Sequence, residues 1–287
     1  MPDLQAAIER SAVREHEAEW SISVIDRVSG TTLAELDPDV CVSTASIGKL
    51  IALVELAERV SCGEAALQTV VGRIEADRVA DSGLWQHLVA DELCLADVAM
   101  LIGAVSDNLA TNVLLRYLGL DAVQRRGRLL GLEASQLHDR VRDQRTADDP
   151  PRLSSGTARE LARLMRGLTL DEGAPLSPGV GGLVLSWLVP STDLSMVAGA
   201  FGLDPLAHAV RDRGIRLWNK TGTNVGVRAD VGIAEGPERQ VVYAVLVNWS
   251  DAATLSDRSR DDVLDGMRQI GEAIRGLVAP RGARSGR

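Results

Sequence analysis

Apolar residues alternate with polar ones near both ends of this chain, yet recur every three to four positions through its middle. Trp20-Ser21-Ile22-Ser23-Val24-Ile25-Asp26 alternates as a half-buried strand does, and after a turn at Ser29-Gly30 residues 31–36 return as a second. The period of two comes back over residues 215–221, 227–234 and 240–247, with turns at Val225-Gly226 and residues 235–238. Between them, residues 61–204 read as helix and loop. Strands at both ends require a sheet assembled from the two termini, with a helical insertion, in the mixed α+β class. Helices over residues 4–19 (Leu4, Ile8, Ala12, Val13) and 261–278 (Val263, Met267, Ile270, Ile274) would flank that sheet, and residues 280–287 read as a frayed basic tail. The expected division is residues 1–42 with 205–287 as a sheet-and-terminal-helix domain, and 43–204 as a helical domain, with a cleft between. There is no internal repeat.

One segment of the insertion is apolar on most of its circumference. From Ser43 or Thr44 as N-cap, Ile47, Leu50, Ile51 and Val54 follow the helical period, and Leu53, Leu56, Ala57 and Val60 cover much of the rest. Ser46 would lie in the first turn and Lys49 one turn further, with Cβ atoms about 5–6 Å apart. A serine hydroxyl attacks only when a base takes its proton, and a lysine desolvated among Ile and Leu can be that base. Alone, S-x-x-K is expected by chance about once in a chain of this length.

Lysine usage sharpens the reading. Of 31 Lys and Arg residues only Lys49 and Lys220 are lysines. Arg keeps its proton where Lys can lose it, so these two mark positions a guanidinium cannot serve. Lys220 opens Lys220-Thr221-Gly222, and Ser106-Asp107-Asn108 lies between the two lysines. A helical face of Leu95, Val98, Ala99, Ile102 and Val105 ends at this second tripeptide, and another runs from Leu109 to a stop at Gly119. Ser106-Asp107-Asn108 therefore sits in a tight helix–helix connection, where polar groups can be aimed into a cleft. Either tripeptide is expected by chance in only about a few chains per hundred, so all three motifs together are not accidental. Further helical faces run over 157–168 and 176–188, whereas residues 138–156, rich in Asp, Arg, Pro and Ser, read as loop.

The formal charge of −9 argues against nucleic acid or an anionic membrane as partner, and no run reaches transmembrane length. Arg125-Arg126-Gly127-Arg128 reads as a solvated helix end. Cys41, Cys62 and Cys94 have no metal-ligand spacing, and their odd number suits buried thiols. No metal or cofactor is expected, and the expected partner is a small molecule acting on a monomer. Residues 3–20 lack the apolar core of a signal peptide, which implies a cytoplasmic protein if Met1 is native and a secreted one if a leader has been removed.

S-x-x-K, S-D-N and K-T-G in this order are the motif set of class A β-lactamases and penicillin-binding proteins, and the chain resembles class A β-lactamases over about residues 20–278. The resemblance implies an antiparallel sheet with terminal helices packed on an all-helical domain, the active site lying between. It implies Ser46 as acylated nucleophile, Lys49 as its base, Ser106 as proton relay to the leaving nitrogen, and Asn108 as holder of the substrate's amide side chain. Lys220 and Thr221 would bind the substrate carboxylate, with Gly222 allowing close approach. The Ser46 and Thr223 N–H groups would form the oxyanion hole, donors typically worth about 3–4 kcal/mol each. Arg228 falls where many members place a carboxylate-binding arginine; otherwise it is an exposed strand residue.

Efficient members of that family activate the deacylating water with a loop glutamate. Aligned on Leu137 to Asp143, Arg142 falls where that glutamate belongs, and Arg cannot act as a base. Neighbouring Asp143 is a substitute, although Asp139, Asp143, Asp148 and Asp149 read more simply as loop solvation. The expectation is a serine hydrolase of amides or esters, β-lactams among them, with impaired deacylation. Alternatives are an acyltransferase or peptidase relative and a non-catalytic β-lactam-binding sensor. A Ser-His-Asp hydrolase is disfavoured, because His16, His87, His138 and His208 are scattered and no G-x-S-x-G is present. Trp85 reads as a packed aromatic more readily than as a stacking platform, with His87 in a loop that could border the cleft.

Overall fold

The computed structural model describes residues 4–14, 18–170, 175–250 and 257–279. The basic tail expected over residues 280–287 lies outside the described residues. The chain runs α1 (Leu4–Arg14), β1 (Ala18–Asp26), β2 (Thr32–Leu36), β3 (Val42–Ser43) and α2 (Lys49–Ser61). It continues through β4 (Val70–Gly72), β5 (Glu92–Cys94), α3 (Leu95–Val105), α4 (Asn108–Leu118), α5 (Leu120–Leu129), β6 (Gln136–Leu137) and β7 (Ser154–Gly156). It ends with α6 (Ala158–Gly167), α7 (Val180–Leu188), β8 (Arg216–Asn224), β9 (Val227–Glu235), β10 (Gln240–Trp249) and α8 (Asp257–Val278).

The two ends do meet in one antiparallel five-stranded sheet, in the order β2-β1-β10-β9-β8. β1 pairs with β10, Ile22 opposite Val245, so the first and last strands lie side by side at its centre. Side chains alternate across this sheet. Val241, Tyr243, Val245 and Val247 of β10 join a core with Ile8 of α1 and Met267, Ile270 and Ile274 of α8. Val242, Ala244 and Leu246 face the other way, into a core with α2, α3, α4 and α6. A 3-10 turn at Val197–Phe201 belongs to the α8 side.

The first helix is shorter than expected, since it ends at Arg14 and β1 has begun by Ala18. The central helix also starts later. Ser46 lies in a 3-10 turn, Ala45–Gly48, and α2 begins at Lys49. Thr44 precedes the turn but makes no capping bond; its hydroxyl is taken by Ser154 Oγ at 2.7 Å. From Lys49 to Glu58 every residue of α2 is buried, as its all-round apolarity predicts. The buried carboxylates of Glu55 and Glu58 are held by Arg59, Arg126 and Ser177, so Arg126 is a structural ion-pair partner and not solvated as expected. The thiols are likewise not buried: Cys41 and Cys62 are exposed, Cys94 partly so, and all three are free.

Candidate active site

α3 ends at Ser106, whose φ of +57° reverses the chain directly into α4. Asp107 then caps α4 with one oxygen, accepting Ala110 N–H at 2.8 Å. Its other oxygen accepts Leu84 N–H and Trp85 N–H at 2.7 and 2.8 Å, tying the 82–85 loop to the connection. Trp85 is fully buried, its indole N–H given to Ala90 O, so it is core and no stacking platform. His87 is exposed and does not line the cleft.

A cavity of about 810 Å³ opens between β8 and the helical part. Ser46, Ser106, Asn108, Lys220, Thr221 and Thr223 all line it. Lys49 is fully buried beneath them, donating to Ser106 O at 2.7 Å, to Asn108 Oδ1 at 2.7 Å and to Ser106 Oγ at 3.3 Å. Burial first, and the charge of Lys220 second, lower its pKa well below the ordinary lysine value, against the pull of Asp107 and Asp81. A lysine whose pKa is lowered in this way gives up its proton more readily, and the freed amine lone pair can then receive a hydroxyl proton. Among the described residues Ser46 and Lys49 are not hydrogen-bonded to each other, a separation that commonly closes only when substrate is bound.

Lys220 donates to Ser106 Oγ at 2.9 Å and to Thr221 O at 2.8 Å, and burial lowers it to about 8 against Asp193 and Asp230. Ser106 Oγ therefore touches both lysines, a place from which it can pass a proton. β8 is the free edge of the sheet, and a two-residue turn joins Asn224 to Val227. The closing pair of such a hairpin exchanges both its hydrogen bonds, so Thr223, one step back opposite Arg228, points its N–H off the edge. That edge faces the nucleophile turn: a Cβ on Gly222 would lie 3.2 Å from Ser46 N.

Arg228 is half-buried and is not among the residues that line the cavity. Its Nη1 donates to Asn224 O and Val227 O at 2.9 and 2.8 Å, and its guanidinium stands 5.8 Å from the Trp249 ring centroid. The loop after β6 forms the opposite wall with Val141, Arg142, Asp143, Arg145 and residues 151–153. Asp139 is not loop solvation as expected: it is buried and accepts from Arg142 at 2.7 Å and Arg145 at 2.6 Å. Burial pushes its carboxyl up, but the bonds to Arg142 and Arg145, together with the Arg140 N–H and the Arg142 charge, hold the group below its usual value. Arg142 also meets Asp149 at 3.1 Å, and Asp143 accepts Ala80 N–H at 2.8 Å. Among the described residues the cavity is lined by no glutamate, only by Asp81, Asp143 and Asp193 as carboxylates. Nor does any group of three or more His, Cys, Asp or Glu among the described residues sit where it could hold a metal.

The family model described as "Beta-lactamase enzyme family" matches residues 3–277. The chain belongs to that family. A β-lactamase of Streptomyces albus G is 29% identical over 199 residues, 68% of this chain and 59% of that protein. The fold matches the crystal structure of a β-lactamase from Sphaerobacter thermophilus with a TM-score of 0.79, at 24% identity over 97% of this chain and 98% of that one. It matches a PBP-A variant, solved as an acyl-enzyme with penicillin-G, with a TM-score of 0.77 at 22% identity, over 96% and 98%.

Two polar features of this β-lactamase-family site escaped the sequence reading. Asn112, one turn beyond Asn108, clamps the backbone of the facing loop, donating to Val141 O at 3.0 Å and accepting Val141 N–H at 2.9 Å. Asp230 lies buried opposite Thr221, accepting from Ala198 N–H, Tyr243 and Asn219, with burial raising it to about 7. Its signal was a single acid inside the otherwise apolar run of residues 229–234.

Proposed function

We propose that this chain is a serine hydrolase that takes a β-lactam, or a related amide or ester, through an acyl-Ser46 intermediate and releases it slowly. The observation that supports acylation is the fully buried Lys49, one turn from Ser46 and bonded to Ser106 and Asn108. In the step, Ser46 Oγ loses its proton to Lys49 and attacks the carbonyl carbon, whose oxygen develops charge against the Ser46 and Thr223 N–H groups. The ring C–N bond breaks as Ser106 hands a proton to the departing nitrogen, itself supplied through the neighbouring lysines. Lys220 and Thr221 hold the substrate carboxylate, and Asn108 the acyl side chain.

Slow release is supported by the composition of the facing wall. Among the described residues no glutamate lines the cavity, Arg142 is engaged by two aspartates, and Asp143 is bonded to Ala80 N–H. The water that should cleave the ester thus lacks a dedicated base. The test is intact-mass spectrometry after mixing with penicillin-G or nitrocefin, on the parent and on Ser46→Ala. A long-lived adduct on the parent alone is expected. Immediate return to the free mass with full turnover overturns slow release, and an adduct that survives Ser46→Ala overturns the assignment of the nucleophile.

A further inference from the structure

The residue before the nucleophile is held in a conformation that a non-glycine residue rarely adopts. Ala45 has φ of +47°, in the left-handed region, where its Cβ crowds the backbone. Such strain persists only where surrounding structure over-determines it. Here the determinant is visible. Ser154, the first residue of β7, is fully buried and donates its hydroxyl hydrogen to Ala45 O at 2.5 Å. Since a hydroxyl has one hydrogen, the 2.7 Å contact with Thr44 Oγ1 must be Thr44 donating to Ser154. The backbone adds a third tie, Thr44 N–H to Ser154 O at 3.2 Å. Gly48 closes the arrangement, because a Cβ there would lie 2.5 Å from Ser154 Cβ.

We propose that Ser154 is a positioning residue for the acylation step: its buried hydroxyl pins the Ala45 carbonyl, and the left-handed Ala45 so fixed aims the Ser46 N–H and Oγ into the cleft. The inference rests on the acyl-Ser46 reading above and adds to it what holds the nucleophile in place. Ser154 touches no reacting atom and acts through the turn. Without its hydroxyl, Ala45 O is left buried without this donor, and Ala45 is free to relax toward negative φ. Relaxation swings the Ser46 N–H away from the Thr223 N–H, separating the two oxyanion donors. Displacements of about 1 Å at such a point cost on the order of 100-fold in rate.

The test is a double-variant cycle read by single-turnover acylation with nitrocefin and with a neutral aryl ester. Ser154→Ala should slow acylation by about 10- to 100-fold, while the non-covalent Kd of substrate, set at Lys220, Thr221 and Asn108, changes by less than about threefold. Glycine enters the left-handed region without penalty, so in the Ala45→Gly background the same Ser154→Ala change should cost several-fold less. A merely structural role would lower the melting temperature and give losses that add across the cycle. Should Ser154→Ala fold poorly, Ser154→Cys, a weak donor of nearly the same size, should show a smaller loss of the same kind. Acylation at the parental rate in a folded variant, or full additivity with Ala45→Gly, overturns the proposal while leaving the function intact. A parent that neither substrate acylates overturns the functional reading, and this inference with it.

Discussion

A Cβ on Gly222 would stand 2.2 Å from the carbonyl oxygen of Thr44, inside any tolerable contact. The obstacle is backbone, so no side chain can rotate out of the way. The edge strand β8 can pass the nucleophile turn this closely only because residue 222 has no side chain, and the proposed oxyanion pair of Thr223 and Ser46 N–H groups depends on that approach. Gly222→Ala should push the strand outward and separate the two donors. Acylation is expected to fall by about 100-fold or more, measured by stopped-flow with nitrocefin, with the melting temperature lowered by several degrees.

On the proposed mechanism, Lys49→Arg removes the base, because its side chain holds its proton permanently. A guanidinium does not deprotonate at accessible pH, and its wider fork does not fit the amine's bonds to Ser106 O and Asn108 Oδ1. Acylation should drop by about 1,000-fold or more, near the upper part of what a general base supplies. Because the lone pair is what matters, the residual rate of the variant should be flat between pH 6 and 9 with a neutral ester, which makes no use of the Lys220 charge.

The pH profile of the parent should carry the second lysine's signature. Burial lowers Lys220 to about 8, so its positive charge is present below that pH and fades above it. For a substrate bearing a carboxylate, kcat/KM should therefore decline above about pH 8. A neutral ester, which makes no use of that charge, should show no such decline over the same range. Equal alkaline limbs for the two substrates would remove Lys220 from carboxylate binding.

The sequence was informative wherever chemistry is local. S-x-x-K, S-D-N and K-T-G announce themselves because their spacing is short, and Gly119 stops α4 where its position predicts, at φ +81°. It was silent where partners are distant in the chain. Nothing near Ser154 points to Thr44 and Ala45, more than a hundred residues earlier, and nothing near Asp139 distinguishes this buried carboxylate from the less buried Asp143, Asp148 and Asp149. Ser46 lies in the 3-10 turn before α2 and not in the helix's first turn, a distinction the sequence hides because a 3-10 turn and a first α-turn share the same apolar spacing.

Arg142 illustrates the consequence for mechanism. Its Nε and Nη2 are bonded to Asp139 and Asp149, so its role is to hold the loop wall together. Arg142→Ala should cost a few degrees of melting temperature, since Arg145 remains to satisfy Asp139. The lifetime of the acyl-enzyme should change by less than about twofold, as a group that is no base in the parent cannot be missed. A large change in that lifetime, followed by mass spectrometry, would mean that Arg142 touches the deacylating water.

Asp230 makes a stability prediction whose sign is opposite to that of most carboxylates. Burial raises it to about 7 from an ordinary 3.8, so the folded protein binds a proton that the unfolded chain gives up between those values. Its stabilising contribution is complete below about pH 4 and is lost as pH rises through 7. The shift corresponds to roughly 4 kcal/mol, so urea unfolding of the parent should weaken markedly between pH 5 and 8.5. In Asp230→Asn the amide keeps an oxygen for the Ala198 N–H and offers hydrogens to the Tyr243 hydroxyl, without a charge at any pH. Its stability should fall by less than half as much over the same interval. The two curves should cross, the variant being the more stable protein at pH 8.5, and parallel curves would place the titrating group elsewhere.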